Sequence, residues 1–378
     1  MSFARSTVAA VLLVLAANSL CAAQKPALSF DELKARAEVA RSNNQVEEQV
    51  KLYHRLVSLR PEWGEGWWYF GTGLYDLHRY EEALTAFQHL SKIDGQDGSS
   101  WALMGMSEFE LKRYEDSLKH LFRAEELGVG ANQEMLLTVR YHIAILLNRA
   151  GQFEWAHDHL TAFSWLADTS DPIVEAVGIN ALRMPVLPSE LPAEKLDLVM
   201  QVGRASWEPS LAGHPEQAIK TFEDLVAKYP DEPNLHYAYG ARLLDSDPAA
   251  AEREFQKEVE INPTQVVARI QIVFLKLKQG DSEDAVSLAR EAVKLAPDYF
   301  LAHNALGRSL LADGKTADAI QELQKAVQLE PKVPESHFDL AEAYRAAGRK
   351  LDAQKETAEF ARIKSLREHL NGAPLTPQ

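Results

Sequence analysis

One interval runs through this chain. Pro263, Pro297 and Pro331 stand 34 residues apart, and so do Ala285, Ala319 and Ala353. Gly71 and Gly105 hold the same spacing, as do Gly307 and Ala341. A fixed period of this length marks a chain of stacked units, each too small to bury its apolar face alone. The stretch from Leu301 to Pro331 shows how one unit is written. Leu306, Leu310 and Leu311 lie on a first amphipathic helix, and Gly314 stands where a left-handed residue ends it. A second helix carries Ala319, Leu323 and Ala326 on one stripe. Pro331 disfavours helix in the residue before it and closes the unit. Small residues at Gly307 and Ala319 let the two helices approach, where a larger side chain would wedge them apart.

The pattern resembles the tetratricopeptide repeat. That family runs aromatic, Leu-Gly, Tyr, Ala, Phe, Ala and Pro across its unit. Trp67, Phe70, Gly71, Leu74, Ala83 and Phe87 follow it, and Trp101, Gly105, Tyr114 and Ala124 follow it in the next unit. Units fall at 30–61, 64–95, 98–129, 137–168, 199–230, 233–263, 266–297, 300–331 and 334–367. The small residue of the second helix is Ala83, Ser117, Ala156, Ala218, Ala251, Ala285, Ala319 or Ala353. Gln49 takes its place in the first unit, which is degenerate. The first helix of the 266–297 unit fits two registers about two residues apart. The resemblance implies an all-α fold, a right-handed α-solenoid of about nine helix–turn–helix units in two blocks.

Two breaks interrupt the period. About five residues are inserted near Gly128–Gln133, and 28 more fall between Ala156 and Ala218. Asp171-Pro172 reads as a helix start, and MPVLPSELP as an extended, proline-stiffened crossing. The expected organisation is an N-terminal block over 24–168 with four units and a connector over 169–198. A C-terminal block over 199–370 follows, with five units and a charged capping helix, then a tail over 371–378. The connector reads either as a structural splice or as a hinge or docking segment.

Met1–Ala23 reads as an export signal. Arg5 precedes the apolar run Val8–Ala17, which is too short to span a bilayer, and Cys21-Ala22-Ala23 places cleavage before Gln24. No membrane span is then expected in the mature chain. Cys21 is the only cysteine, so structural disulfides and cysteine zinc sites are excluded by count. Loss of Arg5 takes the net charge from −15 to −16. Such acidity disfavours nucleic acid, which is bound through basic charge. After Ala23 there is no Asn-x-Ser/Thr acceptor, and the expected location is a bacterial periplasm or the cell exterior.

Twelve histidines invite a search for chemistry. His236, His303 and His337 stand where the family has a large aromatic, which makes them helix-packing residues. His157 and His159 point to different helix faces and cannot share an ion. No phosphate-cradling glycine loop, His-Glu-x-x-His pair or nucleophile elbow occurs. Acidic pairs such as Glu81/Glu82 and Glu125/Glu126 read as solvated faces, and Glu335, Asp339 and Glu342 come nearest to a carboxylate cluster. No catalytic residue, metal site, cofactor or small-molecule substrate is expected.

The resemblance implies instead a partner-binding groove lined by first helices, one, five and eight residues after the packing aromatic. The groove residues are Trp68, Thr72, Tyr75, Met106, Phe109, Tyr141 and Ile145, with Ala102 and Asn148 between them. The equivalent positions of the second block are more mixed: Tyr237, Ala241, Leu244, Asn304, Arg308, Leu311, Phe338, Glu342 and Arg345. A clamp for a peptide carboxylate would need lysines that do not accompany Asn304 and Arg308. The function expected is a non-catalytic scaffold that binds a peptide segment or partner helix. The alternative is an accessory subunit of an envelope enzyme or secretion complex, docking through the connector and the acidic surface.

Overall fold

A computed structural model describes residues 28–130, 132–207 and 214–371. The export signal and the tail beyond residue 371 lie outside them. Among the described residues there are nineteen α-helices, three short 3₁₀ turns and no strand. The chain divides into two compact units, one ending at Gln96 and one starting at Asp97.

The first unit holds two hairpins, α1 (Phe30–Ser42) with α2 (Val46–Leu59) and α3 (Gly64–Asp76) with α4 (Tyr80–Ile93). Ser29 starts α1 with a capping box: its hydroxyl accepts from the Glu32 amide, and its own amide donates to the Glu32 carboxylate. Tyr53, Leu56, Leu74, Ala83 and Phe87 form the buried interior. Gln49, the degenerate position, is buried as well, and its Nε2 donates to the Tyr69 carbonyl at 2.9 Å. Its bulk is accepted because Gly73 lies opposite, where even a Cβ would crowd the Gln49 amide.

The second unit begins with α5 (Gly98–Glu110), α6 (Tyr114–Leu127), α7 (Gln133–Arg149) and α8 (Phe153–Thr161). After α9 (Asp171–Ala181), α10 (Leu196–Ser206) and α11 (Pro215–Lys228), regular hairpins resume. These are α12 (Leu235–Leu243) with α13 (Pro248–Ile261) and α14 (Val266–Gln279) with α15 (Ser282–Leu295). Then come α16 (Phe300–Ala312) with α17 (Thr316–Leu329) and α18 (Pro334–Ala346) with α19 (Lys350–Asn371). Within each of the two units every helix packs on the next, which is the all-α solenoid arrangement.

The small residues do what their spacing implies. Ala83, Ser117, Ala156, Ala251, Ala285 and Ala319 are 0 % exposed, and Ala218 and Ala353 are buried beside them. Facing glycines complete the contact: a Cβ on Gly105 would meet Leu121 at 2.8 Å, and one on Gly307 would meet Leu323 at 2.5 Å. The Ser117 hydroxyl, a polar group at this crossing, donates to the Gly105 carbonyl at 2.7 Å and so carries no desolvation penalty.

The connector differs from its sequence reading. Asp171-Pro172 does begin a helix, but MPVLPSELP is not an extended crossing. It forms the long link between α9 and α10, with 3₁₀ turns at Pro188–Glu190 and Ala193–Lys195. Leu187 is 1 % exposed, and Met184, Val186 and Leu191 pack on the core around Ile179, Val199 and Val202. The α9–α10 crossing brings backbone against backbone. A Cβ on Gly178 would run into the Val199 carbonyl oxygen, and one on Gly203 into that of Val174. Helix α10 also packs on α11.

Glu125 is likewise corrected. It is not on a solvated face but buried between α6, α7 and α8, 3.1 Å from Arg140 Nε and 3.3 Å from His159 Nε2. Burial opposes its charge, yet His159 and Arg140 together hold its carboxyl below the usual range. Glu126 is the exposed member of the pair.

Two stability outcomes follow from the backbone. In seven of the described hairpins the turn between the helices takes a left-handed residue, which is glycine at Gly151, Gly280, Gly314 and Gly348 but Asn44, His78 and Lys112 in the first three. Lys112, exposed and at φ 59°, bears a strain that glycine lacks. Lys112→Gly is expected to stabilise by about 0.5–1 kcal/mol, read from the urea midpoint. Gly178→Ala, forced against a backbone carbonyl, should destabilise by about 3 kcal/mol.

Candidate partner-binding surfaces

In the first unit, the face of α3 is set by how closely α3 meets α4. A Cβ on Gly71 would strike the Phe87 ring, so the backbone of α3 lies directly on that side chain. Phe70, Gly71 and Leu74 then point inward, and Trp68, Thr72 and Tyr75 form a stripe that stays partly exposed. Trp68 rests edge-on against Phe87 at 6.4 Å and Tyr75 edge-on against Tyr80 at 5.2 Å. Such contacts fix the rings in place without burying them. Trp67 turns the other way, stacking on His89 at 4.5 Å while Nε1 donates to the Pro61 carbonyl.

In the second unit the expected groove residues separate. Phe109 and Tyr141 are partly exposed and both lean on His142, at 4.8 and 5.7 Å. Met106 and Ile145 are buried, at 7 % and 4 % exposure, and offer no surface to a partner. Asn148 is wholly buried and donates to the Ala176 carbonyl. Burial, then the nearby Glu175 carboxylate, pushes the Tyr141 hydroxyl up to about 12, and burial first pushes His142 down. Both side chains are therefore neutral near pH 7. Glu175 is itself raised, by burial and by Asp171.

Further along, the wall is filled by the chain itself. Tyr237 lies beside Arg183, whose Nη1 donates to Glu154 Oε1 at 2.9 Å. The Tyr299 hydroxyl donates to that oxygen at 2.8 Å. Arg308 sits over the Phe274 ring at 4.7 Å, and Asn304 donates to Asp339 at 2.9 Å. Burial raises the Asp339 carboxyl despite Arg308 and Asn304. Glu342 pairs with Arg345. The carboxylates near α18 are thus structural partners, and among the described residues no group of three or more His, Cys, Asp or Glu could hold a metal ion. Phe338 stays open, 45 % exposed, as do Ala241, Arg308 and Arg345.

The histidines carry a polar role that the sequence pattern did not reveal. His236, His303 and His337 are buried, each with Nδ1 2.6–2.7 Å from a carboxylate, of Glu254, Glu322 and Glu356 respectively. Each Nε2 faces a proline carbonyl six residues back, at Pro230, Pro297 and Pro331. Trp67 and Arg269 donate to Pro61 and Pro263 in the same way. The proline that ends a unit thus presents an acceptor which the next unit satisfies. The signal was present in the sequence as a donor side chain six residues after each of these prolines.

Three sequence profiles described as tetratricopeptide repeat match the chain, over residues 275–334, 310–360 and 205–232. With the hairpins and their period, this decides the family. The chain is a tetratricopeptide-repeat protein. Its repeats make it a scaffold for protein–protein interaction, the work of a family that is typically non-catalytic. No curated protein matches the chain. Among solved structures, MamA from Desulfovibrio magneticus RS-1 is 22 % identical, covering 45 % of this chain and 96 % of its own, with a TM-score of 0.36. YrrB, a TPR protein with an unusual peptide-binding site, is 13 % identical over 46 % of this chain and 92 % of its own, with a TM-score of 0.34. The Cut9–Hcn1 hetero-tetramer of the APC/C is 12 % identical over 97 % and 73 %, with a TM-score of 0.41. Among the described residues, no helix is long and apolar enough to cross a membrane.

A pH dependence follows from His236. Burial disfavours its charge, but the Glu254 carboxylate and the Pro230 carbonyl outweigh burial and raise it above the ordinary imidazole value. The stabilisation is therefore complete below about pH 6.5 and is lost as pH rises through the raised folded value. Urea midpoints of the wild type should fall across that rise, and those of His236→Phe should fall less.

Proposed function

We propose that this protein is an exported, non-catalytic scaffold that binds a peptide segment or a helix of a partner protein through the exposed face of α3. The observation that carries the reading is the Trp68, Thr72 and Tyr75 stripe. These side chains stay partly exposed where the homologous wall positions Met106, Ile145 and Asn148 are buried. An aromatic face held rigid by edge contacts loses little conformational freedom on binding, and Trp and Tyr commonly dominate such interfaces. The stripe has the i, i+4, i+7 spacing that an extended segment or a helix can follow. Phe109 and Tyr141 offer a smaller aromatic surface of the same kind in the second unit. Export rests on the sequence of residues 1–23, which predicts a mature chain beginning at Gln24. Docking through the connector is disfavoured, since Leu187 and its apolar neighbours are committed to the core.

Paired truncation Trp68→Ala/Tyr75→Ala should weaken partner capture at least 30-fold, the loss of about 2 kcal/mol typical of one anchoring aromatic. Helical circular dichroism should be retained. Undiminished capture by a folded double variant would rule out the α3 face. N-terminal sequencing of the chain from envelope fractions should begin at Gln24, and a chain retained in the cytoplasm with Met1 intact would overturn export.

A further inference from the structure

The contact between Tyr299 and Glu154 stands apart from every other hydrogen bond described. It joins residues 145 apart in sequence, whereas the repeats otherwise bond within a unit or to the next. Glu154 lies in the first turn of α8, and Tyr299 caps the start of α16. Arg183, just past α9, is between them in function. Its guanidinium donates to the same Glu154 oxygen, lies over the Phe153 ring at 4.7 Å and faces Tyr237. Arg183 takes the same left-handed turn position as His78 and Lys112, at φ 50°, which places its side chain at the end of α9. Arg183 and Tyr299, from two other elements of the second unit, therefore converge on the Glu154 carboxylate, with Tyr237 beside the guanidinium.

We propose that Glu154, Arg183 and Tyr299 form an intramolecular latch that holds the inner wall of the second unit shut. The carboxylate that satisfies Arg183 is the chain's own, so the wall is occluded from within rather than vacant. Opening the latch frees the Arg183 guanidinium from Glu154 and so loosens its cover over the buried Phe153 and the partly exposed Tyr237. Arg183 is well buried, with 14 % of its side chain exposed, whereas Glu154 is 33 % exposed, so Glu154 is the member that can leave. Loss of that carboxylate strands a buried cation, which makes latch opening a cooperative event rather than the loss of one bond. The surface pair of Arg149 with Glu190, 3.1 Å apart, serves as the comparison because both partners are more than one-third exposed.

Amide hydrogen exchange on the full chain tests this. Tyr299→Phe removes one oxygen and no carbon, and Glu154→Gln keeps the size of the side chain, so both variants should fold with wild-type circular dichroism. Each should speed exchange across residues 153–161 and 300–305 by about ten-fold, the effect expected for a lost charge-assisted bond. Their combination should be no faster than the stronger single variant, and Arg149→Gln should leave both segments unchanged. Wild-type exchange in the latch variants, full additivity in the double variant, or an equal effect from Arg149→Gln would overturn the latch.

Discussion

Everything in this molecule depends on how near one helix can come to the next. Gly71 against Phe87, Gly105 against Leu121, Gly240 against Phe255 and Gly307 against Leu323 are the same contact made in four hairpins. In each, the missing Cβ leaves room for a large apolar side chain of the second helix. The second helix returns the favour with a buried alanine or serine. Protein interiors are close-packed, so this spacing fixes the crossing and fixes which side of the first helix turns outward. The α3 stripe is exposed because Gly71 is a glycine, not because Trp68 and Tyr75 are polar enough for water.

Repeat contacts are short in sequence, and that is why they could be read. The period located all the hairpin helices of the first unit and those from α12 to α19, together with the buried small residues and the left-handed Gly314 turn. Each of these depends on residues within one unit or its neighbour. The connector escaped for the opposite reason. Its prolines indicate stiffness, but whether Leu187 faces solvent or a core depends on Val199 and Val202, which belong to the next unit, across the break in the period. Glu125 was lost in the same way: beside Glu126 it looks like a solvated charge, and only Arg140 and His159, from two later helices, mark it as buried.

The candidate surface was legible in register and not in exposure. The spacing from Trp67 and Trp101 assigns Trp68, Thr72, Tyr75, Met106, Phe109, Tyr141 and Ile145 to equivalent places. It carries no information on how far neighbouring first helices close over those places. In the second unit they close far enough to bury Met106 and Ile145, and farther along the partly exposed Tyr237 has Arg183 beside it, bonded to a carboxylate of its own chain. Likewise, His303 and His337 read correctly as packing residues, while their bonds to Pro297 and Pro331 became visible only with the carbonyl positions.

The central claim is that a partner lies on the α3 face. A photo-crosslinking residue placed at Tyr75, and separately at Lys51 on the exposed side of α2, tests it most directly in the native envelope. A discrete protein adduct from position 75, suppressed by Trp68→Ala, with none from position 51, is the expected result. Adducts from position 51 alone, or from 75 with no dependence on Trp68, would contradict the assignment.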